Sequence, residues 1–553
     1  MKALLTAIFV ALLPAAGLRA APAAPVRAAC VMHFDGDWRV AGGLPEKAML
    51  IGLQGLANRG APRFYIVQAP SYQWEITGPL CDFYRSAYGV AFTEVASADQ
   101  ALSLFGRYVR GYVVWDRNAP TSLNVAFTIA GLEDALVVDD ELIPLAERHG
   151  LRRIEDLRGR YTGKTDAQIT SDARDRYWAR CNHDSIILMG GQSGPIRVPG
   201  MADWGVQGRM FFENLSADPG HPDELALERR FMADLNPNGT IFGWHPYGKD
   251  TEEEHTTLLS TYGLKMEGLQ SLPNLSFNSQ FTFTPGFRFT NNHTIARDAH
   301  PVAGRKAYLS FIQSDGVGLG VWTKPGRGRI PLAWGAIMSW VKYSPAALEY
   351  FHESATPKDY FIGGLSGPAY MYPNHIPAAR FGPLMHEARD LMAVLDERIF
   401  EIMDNSAADG NVGNADLTKE TVDRYYREFP DVIGFVNGYG PARTRDLRDG
   451  RPMISYDYYV DPGRPREEVA ADLDELIALN PIRPYFCLVH VRETNDVNSL
   501  IEAIGSLHGP VEVVPLDRFM RLAAGAKTYV TRYQHPDDPK HFTAFDATPK
   551  KAP

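Results

Sequence analysis

At 553 residues the chain is long enough for two or three domains and for an ample core. Its 45% apolar and 22% charged residues are those of an ordinary globular protein. A formal net charge of −10 argues against nucleic acid or an anionic membrane as the main partner.

The first residues read as a targeting segment. Lys2 supplies the charge, Ala3–Leu13 the apolar core, and Pro14–Ala20 the small residues before a cleavage point after Ala20 or Ala21. Residues 1–21 are therefore expected to be a signal peptide, and the protein to be exported to a bacterial periplasm or secreted. The apolar run is too short to span a bilayer, and no later stretch reaches the length a membrane helix needs. Ala21–Ala29 reads as a mobile leader. Cys30, Cys81, Cys181 and Cys487 are spaced too widely for a zinc ribbon. Export would allow them to pair, although Cys487, inside an apolar run, reads as a buried free thiol.

Along the chain, helices are expected at Lys47–Leu56, Leu80–Ala87 and Ala98–Phe105, with strands at Arg63–Val67, Val109–Trp115 and Ala135–Val138. Alternation of this kind predicts an α/β domain, or domains, with mainly parallel sheets over residues 30–220. The mixed charges of Arg152–Arg160 read as a solvated surface. No GxGxxG follows the first strand and no Walker loop occurs, so no nucleotide cofactor is expected. The Pro/Gly/polar segment Ser216–Pro222 reads as a domain boundary.

The second half repeats an apolar strand, a polar or Gly-rich end and then a helix. Strands are expected at Thr240–Trp244, Met266–Leu269, Ala307–Ile312, Tyr360–Ile362, Arg398–Met403, Val432–Val436, Met453–Tyr456, Tyr485–Val491 and Val511–Val514. About seven to nine such units predict a (β/α) barrel-like domain over residues 236–525, irregular in outline, with an open doubly wound sheet as the rival. Residues 526–553 read as a loosely packed tail.

In either architecture chemistry collects at the carboxyl ends of the strands. Those ends deliver His245 and Glu252–Glu254, Ser314-Asp315-Gly316, Asp404-Asn405, Asn437-Gly438-Tyr439, Asp457-Tyr458-Tyr459, and His490 with Arg492 and Glu493. There is no GxSxG elbow, no HExxH and no paired-cysteine motif, so neither a serine hydrolase nor a resident metal is expected. Carboxylates, amides and aromatics suit glycosidic chemistry, in which one carboxylic acid protonates the leaving oxygen and a second carboxylate acts as base or nucleophile. Asp315, followed by Gly316, Gly318 and Gly320, is the first candidate and Glu493 its expected partner, with Asp457 and Asp404 behind them. An Asp before Gly also forms turns, Glu493 could stabilise a helix start, Asp404 could begin a turn and Asp457 could pair with a nearby Arg. Tyr370, Tyr372, Trp244, Asn437, Tyr439 and His490 are the candidate substrate contacts, the two tyrosines as walls of an open cleft.

Several motifs occur in one order: Leu53-Gln54-Gly55-Leu56-Ala57-Asn58-Arg59, Gly111–Asp116, Asp156–Arg160, Phe242-Gly243-Trp244, Ser314-Asp315-Gly316 and Gly367-x-Ala369-Tyr370-x-Tyr372-Pro373. Together they resemble the GxGYxYP glycoside hydrolase family from about Leu53 to about Leu522, with Ala369 where the pattern has its second Gly. The resemblance implies a sugar-processing hydrolase. Val317 stands where the family tends to show a second acid, which departs from any role needing adjacent acids. Two other readings stay open at this level. One is a metal-dependent carbohydrate deacetylase drawing on Asp315 and His490. The other is a carbohydrate-binding protein without turnover.

Overall fold

Three small parallel sheets precede the barrel-like unit. In the first, β1 (Arg27–His33) lies between β2 (Phe64–Val67) and β3 (Val90–Glu94). In the second, β4 (Gly111–Val114) lies between β5 (Ala135–Val138) and β6 (Arg152–Asp156). The third holds β7 (Ser185–Gly191), β8 (Phe211–Glu213), β9 (Thr240–Pro246) and β10 (Lys265–Gly268) in the order β10-β9-β7-β8. The computed structural model describes residues 27–70, 76–191, 200–268, 273–314, 322–335, 337–406, 415–492, 495–526, 530–534 and 544–546. Strands such as β4 and β5 are buried along their whole length, as parallel strands covered on both faces must be, and so read as continuous apolar runs.

Helix Leu44–Ala57 is the weld between these units. Leu50, Leu53 and Leu56 are fully buried, each contributing about 1.5–3 kcal/mol. Gly55 is needed for its packing: a Cβ there would stand 2.4 Å from the Asp203 carbonyl oxygen of helix Ala202–Gly208. Its polar residues reach across unit borders. Asn58 Nδ2 donates to Phe64 O at 2.9 Å and Ser276 Oγ at 2.9 Å. Gln54 Nε2 donates to Asn274 Oδ1, which also accepts the Ile66 N–H at 2.8 Å. Asn274 Nδ2 in turn donates to Ile66 O, so this side-chain amide acts as a strand partner for β2. Arg59 bonds the carbonyls of Gly131, Val206 and Gln207 and pairs with Asp134.

The last unit contains β11 (Ala307–Gln313), β12 (Leu332–Gly335), β13 (Asp359–Ile362), β14 (Ile399–Ile402), β15 (Gly434–Asn437), β16 (Arg445–Arg448), β17 (Arg451–Ser455), β18 (Tyr458–Val460), β19 (Tyr485–Val491), β20 (Val511–Val513), β21 (Arg532–Gln534) and β22 (Ala544–Asp546). They form two sheets. One runs β13-β12-β11-β19-β18 with β20 beside β11; the other runs β14-β15-β17-β16-β21-β22. A parallel bridge from Gly363 to Phe400 joins them at one side. At the other side Asp457 N donates to Leu488 O at 2.8 Å. The strands thus wrap an irregular barrel-like lumen rather than one continuous ladder. Alternation sends Tyr308, Ile312, Ala333, Tyr360, Ile362, Ile399, Val436, Ile454 and Leu488 into a lumen core of their own. Helix Leu516–Ala524 closes its amino end, with Phe519 edge-on to Phe486.

Several expectations are corrected here. Arg27–Ala29 is part of β1, the central strand of the first sheet, and not a leader, because it pairs with Val90–Phe92 of β3. Ser216–Pro222 is not a boundary. Strands on either side of it share one sheet, and it is pinned by Ser216 Oγ to Lys249 O and by Ala217 N to Asp250 Oδ2. Thr240–Trp244 and Met266–Leu269 accordingly belong to the third sheet and not to the barrel-like unit; Leu269 itself lies outside the described residues. Part of the tail, Arg532–Gln534, adds to the outer sheet. All four cysteines are free, and Cys487 is buried as expected. Residues 1–21 lie outside the described residues.

Candidate active site

The carboxyl end of the lumen is ringed by the last inward-facing residue of each strand. Strand β14 reads Ile-Phe-Glu-Ile, and alternation that sends Ile399 into the lumen sends Glu401 there too, one layer higher. Room for it comes from Gly335 at the end of β12, where a Cβ would stand 3.2 Å from Glu401 Oε2. The Tyr456 hydroxyl donates to Glu401 Oε1. Glu401 Oε2 is buried and has no hydrogen-bond partner among the described residues. Burial pushes this carboxyl up to about 7, against the opposing pull of Tyr456 and Ser314. It is therefore a carboxylic acid that keeps its proton close to neutrality.

His490, at the end of β19, is the second element of the mouth. Its Nδ1 donates to Tyr439 O at 2.7 Å, which fixes the tautomer and leaves Nε2 as a bare acceptor. Nε2 is buried with no partner among the described residues. Burial lowers this imidazole to about 3, so it is neutral. The Tyr456 ring lies 5.2 Å from the imidazole and links it to Glu401. Half-buried Tyr439 and Tyr459 flank the histidine at 4.4 and 5.2 Å, and the Arg492 guanidinium lies 5.4 Å over the Tyr439 ring. The mouth thus combines a proton-bearing acid, a neutral acceptor and aromatic faces. Those are the parts needed to hold a hydroxylated ring and protonate one of its oxygens. Among the described residues, no three His, Cys, Asp or Glu side chains converge as a metal site would require.

The expected residues distribute unevenly. His490 and Tyr439 are in the mouth. Asp315 and Glu493 lie outside the described residues, directly after Ser314 and Arg492 in the chain. Asp457 does not open on the mouth: Tyr456 takes the inward position, so Asp457 points out, paired with Arg445 and accepting the Leu488 N–H at 3.1 Å. Asp404 is consumed by the loop after β14, accepting from Asn374 N at 2.7 Å and Ser406 N at 3.1 Å. Asn437 faces away from the lumen, opposite to Val436, and donates to Ala415 O and Ser455 Oγ. The two aspartates thus serve the arginine pairing and the turn that their sequence contexts also allowed.

Tyr370, Tyr372 and Trp244 are not walls of an open cleft. Tyr372 is fully buried and Tyr370 nearly so, and Trp244 stacks on Tyr370 at 5.8 Å. Both hydroxyls converge on Glu252 Oε1, that of Tyr372 at 3.1 Å, and the tyrosine hydroxyls lie 3.2 Å from each other. The loop's main chain pairs with β10 through Met266 N to Tyr370 O at 2.9 Å and Tyr370 N to Met266 O at 3.0 Å. This is a clasp between the third sheet and the barrel-like unit, and packing against it closes the ring faces. Beside the clasp, Asp250 takes His245 Nδ1 at 2.9 Å on one oxygen and His255 Nδ1 at 3.0 Å on the other, a buried network that anchors the third sheet.

Comparison with known proteins identifies the assembly of units. Models of successive family domains match residues 30–107 (GxGYxYP_N 1st domain), 109–181 (GxGYxYP_N second domain), 183–280 (GxGYxYP third domain) and 305–524 (GxGYxYP putative glycoside hydrolase C-terminal domain).

The chain belongs to the GxGYxYP family.

The first three matches each cover one of the small sheets, apart from the first residues of β1, and the fourth covers the barrel-like unit through β20. No curated protein compared with the chain is significantly similar. Among solved structures it is similar to one described as the crystal structure of a putative hydrolase from Bacteroides thetaiotaomicron VPI-5482 at 1.25 Å resolution. The two share 19% identity with a TM-score of 0.74 over 90% of this chain and 95% of that one, a likeness of fold. In this member the GxGYxYP tyrosines and the Gln54–Asn58–Arg59 segment hold units together, whereas Glu401 stands in the lumen. Sequence reading passed over Glu401 because it sits inside a strand rather than after one. The available signal was a lone acid in the middle of an apolar run, which a buried strand tolerates only with a partner or a shifted pKa.

Proposed function

We propose that this protein is an exported glycoside hydrolase that cleaves glycosidic bonds of an oligo- or polysaccharide, with Glu401 as general acid. The observation that carries the reading is the Glu401 carboxyl, buried at the carboxyl end of the lumen, proton-retaining to about 7 and with one oxygen unpartnered among the described residues. A glycosidic oxygen must be protonated as it leaves, and an acid with a raised pKa can do this near neutral pH. Asp315, one residue beyond Ser314 in the chain, is our candidate for the second carboxylate, with Glu493 as the reserve. Tyr439 and Tyr459 offer ring faces for the sugar. His490 Nε2 accepts from a substrate hydroxyl, since it carries no proton.

The test is a screen of plant, fungal and bacterial glycans for release of reducing ends by the purified protein. Cleavage by the wild type, lost in both Glu401→Gln and Asp315→Asn, is the expected result. Glycan binding without release in the wild type would mark the chain as a binding protein, and release of acetate without new reducing ends, lost on chelation, would mark it as a metal-dependent deacetylase; either overturns the proposal. Export is tested separately by intact mass from an exporting host, where removal of residues 1–20 or 1–21 is expected.

A further inference from the structure

Beside the strand ends that carry Tyr456 and His490, the wall of the barrel-like unit parts. The β15–β17 ladder ends at Asn437 and Ser455, and the β18–β19 ladder begins only at Tyr458 and Val489. Between them Asp457 spans the gap, through its N–H to Leu488 O at 2.8 Å and its Oδ2 from Leu488 N at 3.1 Å. Towards the amino ends, β17 turns its free side to antiparallel β16, and β19, paired with β11 on its other edge, has no strand among the described residues on the edge that faces the breach. The breach is a cleft of about 570 Å³.

Its chemistry is unlike the rest of this acidic chain. Among the described side chains that line it are three guanidiniums, Arg443, Arg445 and Arg532, against a single carboxylate, Asp457. Arg445 and Arg532 stand directly opposite each other across the β16–β21 pair. Like charges in that register destabilise a sheet unless an anion lies between or beside them. Asp457 answers Arg445, and Asp416 answers Arg443. Arg532 is exposed and has no ion pair among the described residues. The Tyr485 side chain also belongs to the lining, with its buried hydroxyl beside the Cys487 thiol. A guanidinium with no ion pair among the described residues and a tyrosine side chain therefore meet in one cleft. Phe486 and the exposed side chain of Ile482 give it an apolar wall.

We propose that this breach is a second ligand site, which binds a carboxylate or sulfate group carried on a sugar. The guanidinium fork matches a planar or tetrahedral oxyanion, and the apolar wall takes the hydrophobic face of a pyranose ring. The oxyanion is the shared chemistry of an acidic sugar and a free inorganic anion, and the size and apolar wall of the cleft favour the sugar. The site is separate from Glu401 and does not depend on the hydrolase reading.

The experiment is calorimetric titration of the full-length protein with galacturonate, galactose and inorganic sulfate. Galacturonate is expected to bind more tightly than sulfate, and galactose not to bind. Arg532→Gln should weaken galacturonate about tenfold or more, as loss of one charge-assisted contact does, and Arg532→Lys less. Because Arg532 is exposed and lacks an ion pair among the described residues, neither variant should disturb folding, which an unchanged thermal midpoint would verify. Arg443→Gln is the second probe. Sulfate binding as tightly as galacturonate would make the breach a free-anion site and overturn the assignment to a sugar. Galactose binding equally well, or galacturonate binding that neither arginine substitution weakens, would overturn the site itself.

Discussion

Replacing Glu401 by Gln keeps the shape of the side chain and removes its titration. In the folded protein the carboxyl is carried from its ordinary 4.5 to about 7, with burial as the main cause. At roughly 1.4 kcal/mol per pKa unit, that is about 3.5 kcal/mol over the whole range. The sign follows from proton uptake. Between pH 4.5 and 7 the folded state holds a proton that the unfolded state has released. Stability is therefore fully present below the lower value and is lost as pH rises through the upper one. The glutamine variant has no such term, because its amide can still accept from Tyr456 and bears no charge at any pH. The assay is urea unfolding of both proteins at pH 5 and pH 8, with the variant compared to wild type at each pH. A chain of four units need not unfold in one step, but contributions from the other three cancel in this difference of differences. The variant should gain about 2.5 kcal/mol on the wild type between the two conditions, because pH 5 already lies above the lower value. Catalysis should move the other way, with a loss on the order of a hundredfold to ten-thousandfold on any cleaved glycan. A difference of differences within about 0.5 kcal/mol of zero would show that the carboxyl ionises freely, and Glu401 would cease to be the acid.

Tyr456→Phe removes the hydrogen bond that favours the ionised form of Glu401, so the alkaline limb of the pH–rate profile should move to higher pH; a shift to lower pH would contradict the geometry. Asp315→Asn should abolish turnover while leaving glycan binding and the thermal midpoint near wild type, and activity near wild type would remove Asp315 from the mechanism. Asn274→Ala strips the partners from Ile66 N–H, Ile66 O and Gln54 in one buried site. It should cost about 3 kcal/mol, read as a lower thermal midpoint with early proteolysis in the first unit; an unchanged midpoint would show that the weld is dispensable.

The sequence by itself determined the elements and their order. Helix Ala98–Phe105 and strand Ala135–Val138 have the expected bounds, because local period and apolar runs decide such segments. It also determined the α/β class and the family, since motifs such as Gln54–Arg59 and Tyr370–Pro373 survive as words whatever they do. What those words do was decided only in three dimensions. Tyr370 and Tyr372 are legible as aromatic, but whether their faces are open depends on Glu252, more than a hundred positions away in the chain. Asp457 and Glu401 are both acids at the ends of the same barrel-like unit. Strand parity turns Glu401 into the lumen beside Tyr456 and turns Asp457 out to Arg445, and parity is set by register and by the parting of β17 from β19. A pKa of about 7 likewise cannot be read from Ile-Phe-Glu-Ile. It arises from the water excluded by strands that meet only in the fold, with Gly335 and Tyr456 both more than fifty positions from Glu401, and no stretch of sequence contains that exclusion.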